Sequence, residues 1–378
     1  MNPAFTRLIR QATRATRDGD PADALRRIRA AIDAFPASVP AGGAMRRMPA
    51  TAFDWSSLPG APVARPTSGA DPALHHGRFE NHAGGRAYRL YVPPGSASRP
   101  MPLVVMLHGC TQTPEDIAAG TRLTEAAAAR RFCVLYPEQA TDANPRRCWN
   151  WFEHAHQRSD RGEPAILAGM TRAIVDAHRI DPARVFVAGM SSGGAMAALL
   201  ASTHPTLYEA IGVHSGLAAG SAADLQTALH AMRGHPRATV PTSHGARQPR
   251  MIVFHGAKDA IVDPANAGRL VEGWLAARRA DVDATALDRS TARLTAQAGG
   301  RACERTVWRD AGADAEAPPL LEQWIVHGAG HAWSGGSAGG SYTDPRGPDA
   351  TREMLRFFLA DPEAAYDPPP AAMRDECR

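Results

Sequence analysis

A chain of 378 residues has room for one large α/β domain and a small appendage. Apolar residues make up 44% and charged residues 21%, the balance of an ordinary water-soluble globular protein. The formal charge is only +4, Lys258 is the sole lysine, and no dense basic run follows the N-terminus, which excludes a nucleic-acid-binding class. No segment approaches the length and apolarity of a transmembrane span.

The opening, from Met1 to Arg10, lacks the apolar core of a secretory signal, and Asp18, Asp20 and Asp23 count against a transit peptide. A cytoplasmic location is therefore expected. Residues 1–35 form the first segment. Phe5, Leu8, Ile9 and Ala12 recur at helical spacing, as do Ala24, Leu25, Ile28, Ala31 and Ile32. Gly19-Asp20-Pro21 separates the two stretches, with Asp20 as N-cap and Pro21 at the first helical position. A short helical hairpin is expected, either packed on the rest or serving as an arm that docks on a hydrophobic particle. Residues 36–75, rich in Pro, Ala, Gly and Ser, read as a flexible linker.

A catalytic domain is expected over 76–362, followed by a tail at 363–378. Strand-like runs occur at Arg89–Val92, Leu103–Leu107, Cys133–Tyr136, Val185–Ala188, Ala210–His214, Met251–His255 and Gln323–Val326. Helical stretches at 115–130, 164–178, 193–203, 266–278 and 349–360 alternate with them. That alternation predicts an α/β fold, a mainly parallel sheet with helices on both faces. Residues 281–318 are polar and fit no clear period. The cysteines Cys110, Cys133, Cys148, Cys303 and Cys377 show no metal-ligand spacing and no CxxC pair. Cys133 lies in a strand-like run and reads as a small core residue. No metal and no organic cofactor is expected.

The chemistry is concentrated where Arg184-Val185-Phe186-Val187-Ala188 runs into Gly189-Met190-Ser191-Ser192-Gly193 and a helix-forming Ala/Met/Leu stretch. A strand, a Gly-x-Ser-x-Gly turn and a helix are what a nucleophilic serine needs. The turn forces Ser191 into a strained backbone, and the flanking glycines leave room for it. A serine nucleophile requires a base, and the base an orienting acid, on loops after later strands. Met251-Ile252-Val253-Phe254 leads into His255-Gly256-Ala257-Lys258-Asp259, which offers Asp259 as the acid. Asp263 competes, although Asp263-Pro264 also reads as the cap of the next helix. Leu321–Val326 leads into His327-Gly328-Ala329-Gly330-His331. There His331, bracketed in a glycine-rich loop, is the candidate base and His327, at the strand end, the structural alternative. His108-Gly109-Cys110 after Leu103–Leu107 supplies an oxyanion loop, with the backbone N–H groups of Cys110 and Ser192 as donors. Four such pieces, in order and each after a strand, predict an α/β-hydrolase.

The fuller wording resembles a family. Leu107-His108-Gly109-Cys110-Thr111-Gln112, Cys148-Trp149-Asn150-Trp151-Phe152, Gly189 to Met196 and Gly330-His331-Ala332-Trp333-Ser334-Gly335-Gly336 are together similar to the poly(3-hydroxybutyrate) depolymerase-type esterases. The resemblance implies a triad of Ser191, Asp259 and His331, and it implies that Trp149, Trp151 and Trp333 line the mouth of the site. Tryptophans beside a catalytic loop would also suit an aliphatic polyester on physical grounds, the alternative being that they are core. In the family the cysteines matching Cys110 and Cys148 can pair across the rim, which a reducing cytoplasm would oppose. The family includes feruloyl and acetylxylan esterases as well, so it constrains the chemistry more than the substrate.

Secreted members carry a leader and a substrate-binding domain behind a linker, features expected to be lacking here. The expected activity is thus hydrolysis of short-chain polyhydroxyalkanoate, on amorphous granules or as soluble oligomers, with the N-terminal helices as a granule-docking arm. The alternatives are a feruloyl or acetylxylan esterase and a non-catalytic granule-binding protein.

Overall fold

A computed structural model describes residues 74–94, 100–237, 248–281, 284–295, 299–314 and 317–359. The expected N-terminal hairpin, most of the linker and the C-terminal tail lie outside the described residues. The elements in chain order are β1 (Leu74–Asn81), β2 (Gly84–Tyr91), β3 (Met101–Leu107), α1 (Pro114–Thr121), α2 (Leu123–Arg130) and β4 (Cys133–Pro137). They continue with α3 (Gly162–Ala177), β5 (Ile180–Met190), α4 (Ser192–Thr203), β6 (Ala210–His214), α5 (Leu225–Met232), β7 (Arg250–Gly256) and α6 (Ala265–Arg279). The last are β8 (Leu287–Leu294), β9 (Cys303–Asp310), β10 (Leu321–Val326), the short β11 (Trp333–Ser334) and β12 (Thr343–Asp344), and α7 (Ala350–Leu359).

One sheet holds the first ten strands in the order β1-β2-β4-β3-β5-β6-β7-β10-β9-β8. The six central strands, β4, β3, β5, β6, β7 and β10, are all parallel. Antiparallel pairs close both ends, β1–β2 on β4 and β9–β8 on β10. A parallel sheet must be covered on both faces, which is why β3, β4, β6 and β7 are buried along their whole lengths. Successive side chains feed two separate cores. Leu103, Val105, Val187, Ile211 and Val253 pack with Leu167 and Met170 of α3, Met196 and Leu200 of α4 and Leu270 of α6. On the other face Val104, Met106, Phe186 and Ile252 pack with Ile117 of α1, Leu123 of α2, and Met354 and Phe358 of α7. Helices therefore cover both faces, as the alternation predicts.

Three differences from the expectation have physical causes. The single helix predicted over 115–130 is two, because Arg122 takes a left-handed conformation (φ 53°) that ends α1 and starts α2 at an angle. The unassigned stretch 281–318 contains β8 and β9. β8 is exposed at nearly every position, so Leu287–Leu294 carries no alternation to read. Leu74 and His75, placed in the linker, belong to β1, a mostly polar edge strand.

The site depends on how closely α4 approaches β3. A Cβ at Gly193 would overlap the carbonyl oxygens of Leu107 and His108, and one at Gly189 would overlap the backbone of Gly193. Backbone cannot move aside as a flexible side chain can. Gly193→Ala should therefore lower the unfolding free energy by about 3 kcal/mol. Urea denaturation would check this, and a loss under about 0.5 kcal/mol, the scale of a surface substitution, would show that the approach is looser than described.

Candidate active site

The chain turns from β5 into α4 at Ser191, whose φ of 56° and ψ of −118° are an uncommon combination for a residue with a side chain. Two backbone bonds hold that conformation. The Ser191 amide donates to the His214 carbonyl at the end of β6 (2.9 Å), and the Ser191 carbonyl accepts from the Ala195 amide (2.9 Å). The side chain stands at the N-terminus of α4, where the helix favours developing negative charge.

Asp259 follows β7, and His331 follows β10, the parallel neighbour of β7. His331 Nδ1 donates to Asp259 Oδ2 at 2.7 Å. The other carboxylate oxygen accepts the backbone amides of Ile261 and Val262, both at 2.9 Å. Asp259 is 5% exposed. Burial alone would raise its pKa, yet hydrogen bonds and charge from His255 and His331 drive it well below the usual carboxylate range. Of the competing residues, Asp263 accepts the amide of Ala265 at the start of α6 (2.9 Å), one position ahead of the residue at the N-cap, Pro264. His327 has no recorded bond to Asp259, and its Nε2 is buried without a hydrogen-bond partner.

The loop carrying His331 is anchored from below. The Lys258 amide donates to the Ala329 carbonyl (2.8 Å), and the Ser334 amide donates to His214 Nε2 (3.0 Å). A side chain at Gly256 would overlap the carbonyls of Ala329 and Gly330, so glycine lets this loop cross the end of β7. Since a backbone amide can only donate, His214 Nε2 is unprotonated and its Nδ1–H faces Ser215 Oγ (3.2 Å). His214 thus links the serine turn, through its carbonyl, to the histidine loop, through its ring.

The oxyanion loop lies against the same serine. The position a Cβ would take at Gly109 is 3.5 Å from Ser191 Cβ. Ser192 Oγ lies 3.4 Å from Cys110 Sγ, so the two candidate donor residues are neighbours. Ser192 is the first residue of α4, and its amide has no partner within the helix. Cys110 and Cys148 form a disulfide, and the Thr111 amide donates to the Arg146 carbonyl (2.6 Å). The oxyanion loop is thereby clipped to the Cys148–Phe152 segment. Cys133 is a core thiol, pushed up to about 12 by burial.

The three tryptophans are a correction. Trp149 is 0%, Trp333 1% and Trp151 6% exposed, so none offers a face to a substrate in this conformation. Their polar edges are used internally: Trp149 Nε1 donates to the His108 carbonyl (3.0 Å) and Trp333 Nε1 to Thr351 Oγ1 (3.0 Å). Trp333 stacks on His214 with ring centroids 4.9 Å apart. They support the loops around the site from within. Sequence reasoning missed the buried partners of those loops, Gln139, Glu163, His214 and His255. His255 was readable, since it ends a strand before a glycine. Nothing in spacing marks Glu163 or Gln139. Among the described residues no group of three or more His, Cys, Asp or Glu could hold a metal ion.

A strained serine on the turn from β5 to α4, a carboxylate two strands away after β7, the histidine it binds three strands away after β10, and a glycine loop packed beside the serine suit acyl transfer. The architecture is the α/β-hydrolase fold. A family model described as Esterase PHB depolymerase matches residues 86–297, and the chain belongs to that family.

The chain is 27% identical over 263 residues to poly(3-hydroxyalkanoate) depolymerase C of Paucimonas lemoignei, covering 67% of this chain and 60% of that one. It is 31% identical over 201 residues to feruloyl esterase B of Neurospora crassa, covering 49% of this chain and 67% of the relative. To a probable acetylxylan esterase A of Neosartorya fischeri it is 28% identical, covering 58% and 62%. The chain thus spans about three fifths to two thirds of the length of these relatives. The acetyl xylan esterase from Aspergillus awamori shares the fold, with a TM-score of 0.59 at 22% identity over 76% of this chain and 99% of that chain.

Two predictions follow from this geometry. Cys148→Ser opens the 38-residue loop closed by the bridge and should lower the unfolding free energy by about 2–4 kcal/mol. An unchanged denaturation midpoint would contradict a formed bridge. The second concerns pH. Burial, with the nearby charge of Arg147, lowers His108 to about 4; burial and Arg172 lower His204 to about 4; burial, with His255 and His331, lowers His214 to about 3. Each binds a proton in the unfolded chain near 6.5, before the folded protein does. Stability should therefore fall as pH drops below 6.5, by at most about 1.4 kcal/mol per pH unit per group. Urea titrations from pH 7 to pH 4.5 would test this, and a flat profile would contradict it.

Proposed function

We propose that this protein is a serine esterase that hydrolyses short-chain polyhydroxyalkanoate, as oligomers or amorphous polymer, through an acyl-enzyme. The observation that carries the reading is the hydrogen-bonded Asp259–His331 pair, its carboxylate buried, on the sheet edge that also presents Ser191. His331 donates Nδ1–H to Asp259, which leaves Nε2 as the base. His331 Nε2 takes the Ser191 proton as Oγ attacks the ester carbonyl, and the tetrahedral oxyanion is held by the amides of Cys110 and Ser192. Collapse expels the alcohol, protonated by His331. Water activated by the same nitrogen then releases the hydroxy acid, while Asp259 keeps the imidazole tautomer fixed.

The identity to a polyhydroxyalkanoate depolymerase supports the aliphatic hydroxy-ester. Among the described residues the exposed large apolar side chains are Leu225 (41%) and Leu294 (38%). Such a surface supports soluble oligomers over adsorption to solid polymer. A granule-docking role for residues 4–35 concerns residues outside those described. The disulfide supports an oxidising compartment, against the cytoplasmic expectation. The second reading, a feruloyl or acetylxylan esterase, is favoured by the relatives that carry those names. A non-catalytic granule-binding role is disfavoured by the ordered Asp259–His331 pair.

Release of 3-hydroxybutyrate from soluble oligomers and from amorphous polymer should be measured beside methyl ferulate and acetylated xylan. The expected result is turnover of the oligomers, lost in Ser191→Ala on the order of 10⁶-fold in kcat with the fold retained. Activity surviving in Ser191→Ala would overturn the mechanism. Turnover of ferulate or acetylxylan alone would keep the mechanism and discard the polyester.

A further inference from the structure

A buried, densely bonded polar cluster lies behind the oxyanion loop, and nothing in the catalytic steps above uses it. At its centre is Glu163 near the start of α3, with a side chain 0% exposed. Its Oε2 accepts the Asn150 backbone amide at 2.7 Å. Its Oε1 accepts Gln139 Nε2 (2.5 Å), Asn150 Nδ2 (2.9 Å) and Arg86 Nη2 (3.2 Å). All four are donors, which matches an acceptor-only carboxylate. A buried carboxylate is costly to maintain, and replacing such an ion pair by apolar side chains is often stabilising, so stability alone is a weak reason for it.

Two paths lead from Glu163 to the oxyanion loop. Gln139, anchored by Glu163, by Arg86 Nε on its Oε1 (2.7 Å) and by the Cys148 carbonyl on its Nε2 (2.8 Å), places its own backbone amide 3.1 Å from His108 Nε2. Asn150, anchored by Glu163, fixes the neighbouring Trp149, whose Nε1 donates to the His108 carbonyl (3.0 Å). His108 is held by its ring and by its backbone.

The tautomer of His108 follows from its partners. The Gln139 amide can only donate, so Nε2 carries the lone pair. The Gly109 carbonyl, 2.8 Å from Nδ1, can only accept, so Nδ1 carries the hydrogen. The same carbonyl also accepts the Gln112 amide at 3.3 Å. A peptide unit is planar and trans, so a fixed Gly109 C=O fixes the direction of the N–H at the other end of that unit. That N–H belongs to Cys110, the oxyanion donor of the proposed mechanism.

We propose that Glu163 is a positioning residue for the oxyanion hole. Through Gln139 and Asn150 it locks His108 as the Nδ1–H tautomer, and His108 in turn aims the Cys110 amide at the reacting oxygen. This rests on the serine-esterase reading. A preorganised donor stabilises the transition state more than the substrate, so loosening it lowers kcat and leaves KM largely intact.

The test is Glu163→Gln in the full chain, which keeps the shape but sets an NH₂ among donors. A soluble oligomer ester gives kcat and KM. A trifluoromethyl ketone, which adds Ser191 to give an anionic hemiketal, probes the oxyanion hole, and a product acid probes ground-state binding. The expected result is kcat lower by roughly 10- to 100-fold with KM within about threefold, short of losing a donor outright. Ketone affinity should fall by the same factor as kcat/KM, with acid affinity unchanged. Unchanged kcat and ketone affinity would overturn the proposal, as would equal losses for ketone and acid.

If the variant does not fold, the wild-type protein decides. Ring-¹⁵N spectra of histidine-labelled protein should show His108 neutral and protonated on Nδ1 at pH 7. Protonation on Nε2, or a charged ring, would overturn the lock. Absence of any ester hydrolysis by the wild type would instead sink the esterase reading, and the ring spectrum is independent of it.

Discussion

Between Met190 and Ser192 the chain passes from strand to helix through one residue of positive φ, and two residues away on either side, at Gly189 and Gly193, there is no space for a side chain. Gly189 meets the backbone of Gly193, and Gly193 meets the carbonyls that end β3. The strain at Ser191 persists because its surroundings over-determine it: its amide is bound to β6 and its carbonyl opens α4. Everything else in the site is built around that turn. The oxyanion loop leaves β3 next to it, the histidine loop is tied to the β6 residue that holds it, and Asp259 leaves the strand after that.

The electrostatic arrangement follows from burial. His108 and His214 are held neutral by it, and each has its tautomer dictated by a backbone amide that can only donate. They act as fixed dipoles, orienting one loop each. Asp259 is the charged group behind the histidine, and its ionised form is supported by two backbone amides as well as by His331. A carboxylate so satisfied favours an imidazole that becomes cationic beside it, which is the change a general base undergoes.

The central strands and the elements around the serine were legible because a parallel sheet writes itself as continuous apolar runs such as Leu103–Leu107 and Met251–Phe254. Ser191, Asp259 and His331 were legible as candidates because each sits just after such a run. β8 was not, since an exposed edge strand has no buried face to impose a period. The tryptophans show a different limit. The pattern Cys148-Trp149-Asn150-Trp151 marks a segment that matters to the site, but spacing does not say whether an aromatic ring faces substrate or faces inward to bind a carbonyl. Glu163 was invisible for a related reason. A lone Glu near a helix start reads as a solvated residue, and only the fold shows four donors converging on it.

In the proposed mechanism His331 and Asp259 activate Ser191 opposite an oxyanion hole. Reaction with an alkyl p-nitrophenyl phosphonate, followed by peptide mapping, addresses it most directly, because such reagents trap only a serine made nucleophilic beside a stabilised oxyanion. Stoichiometric labelling of Ser191 alone is expected, with labelling much slower in His331→Ala. Labelling of another residue, or an inert Ser191 in folded wild-type protein, would contradict it.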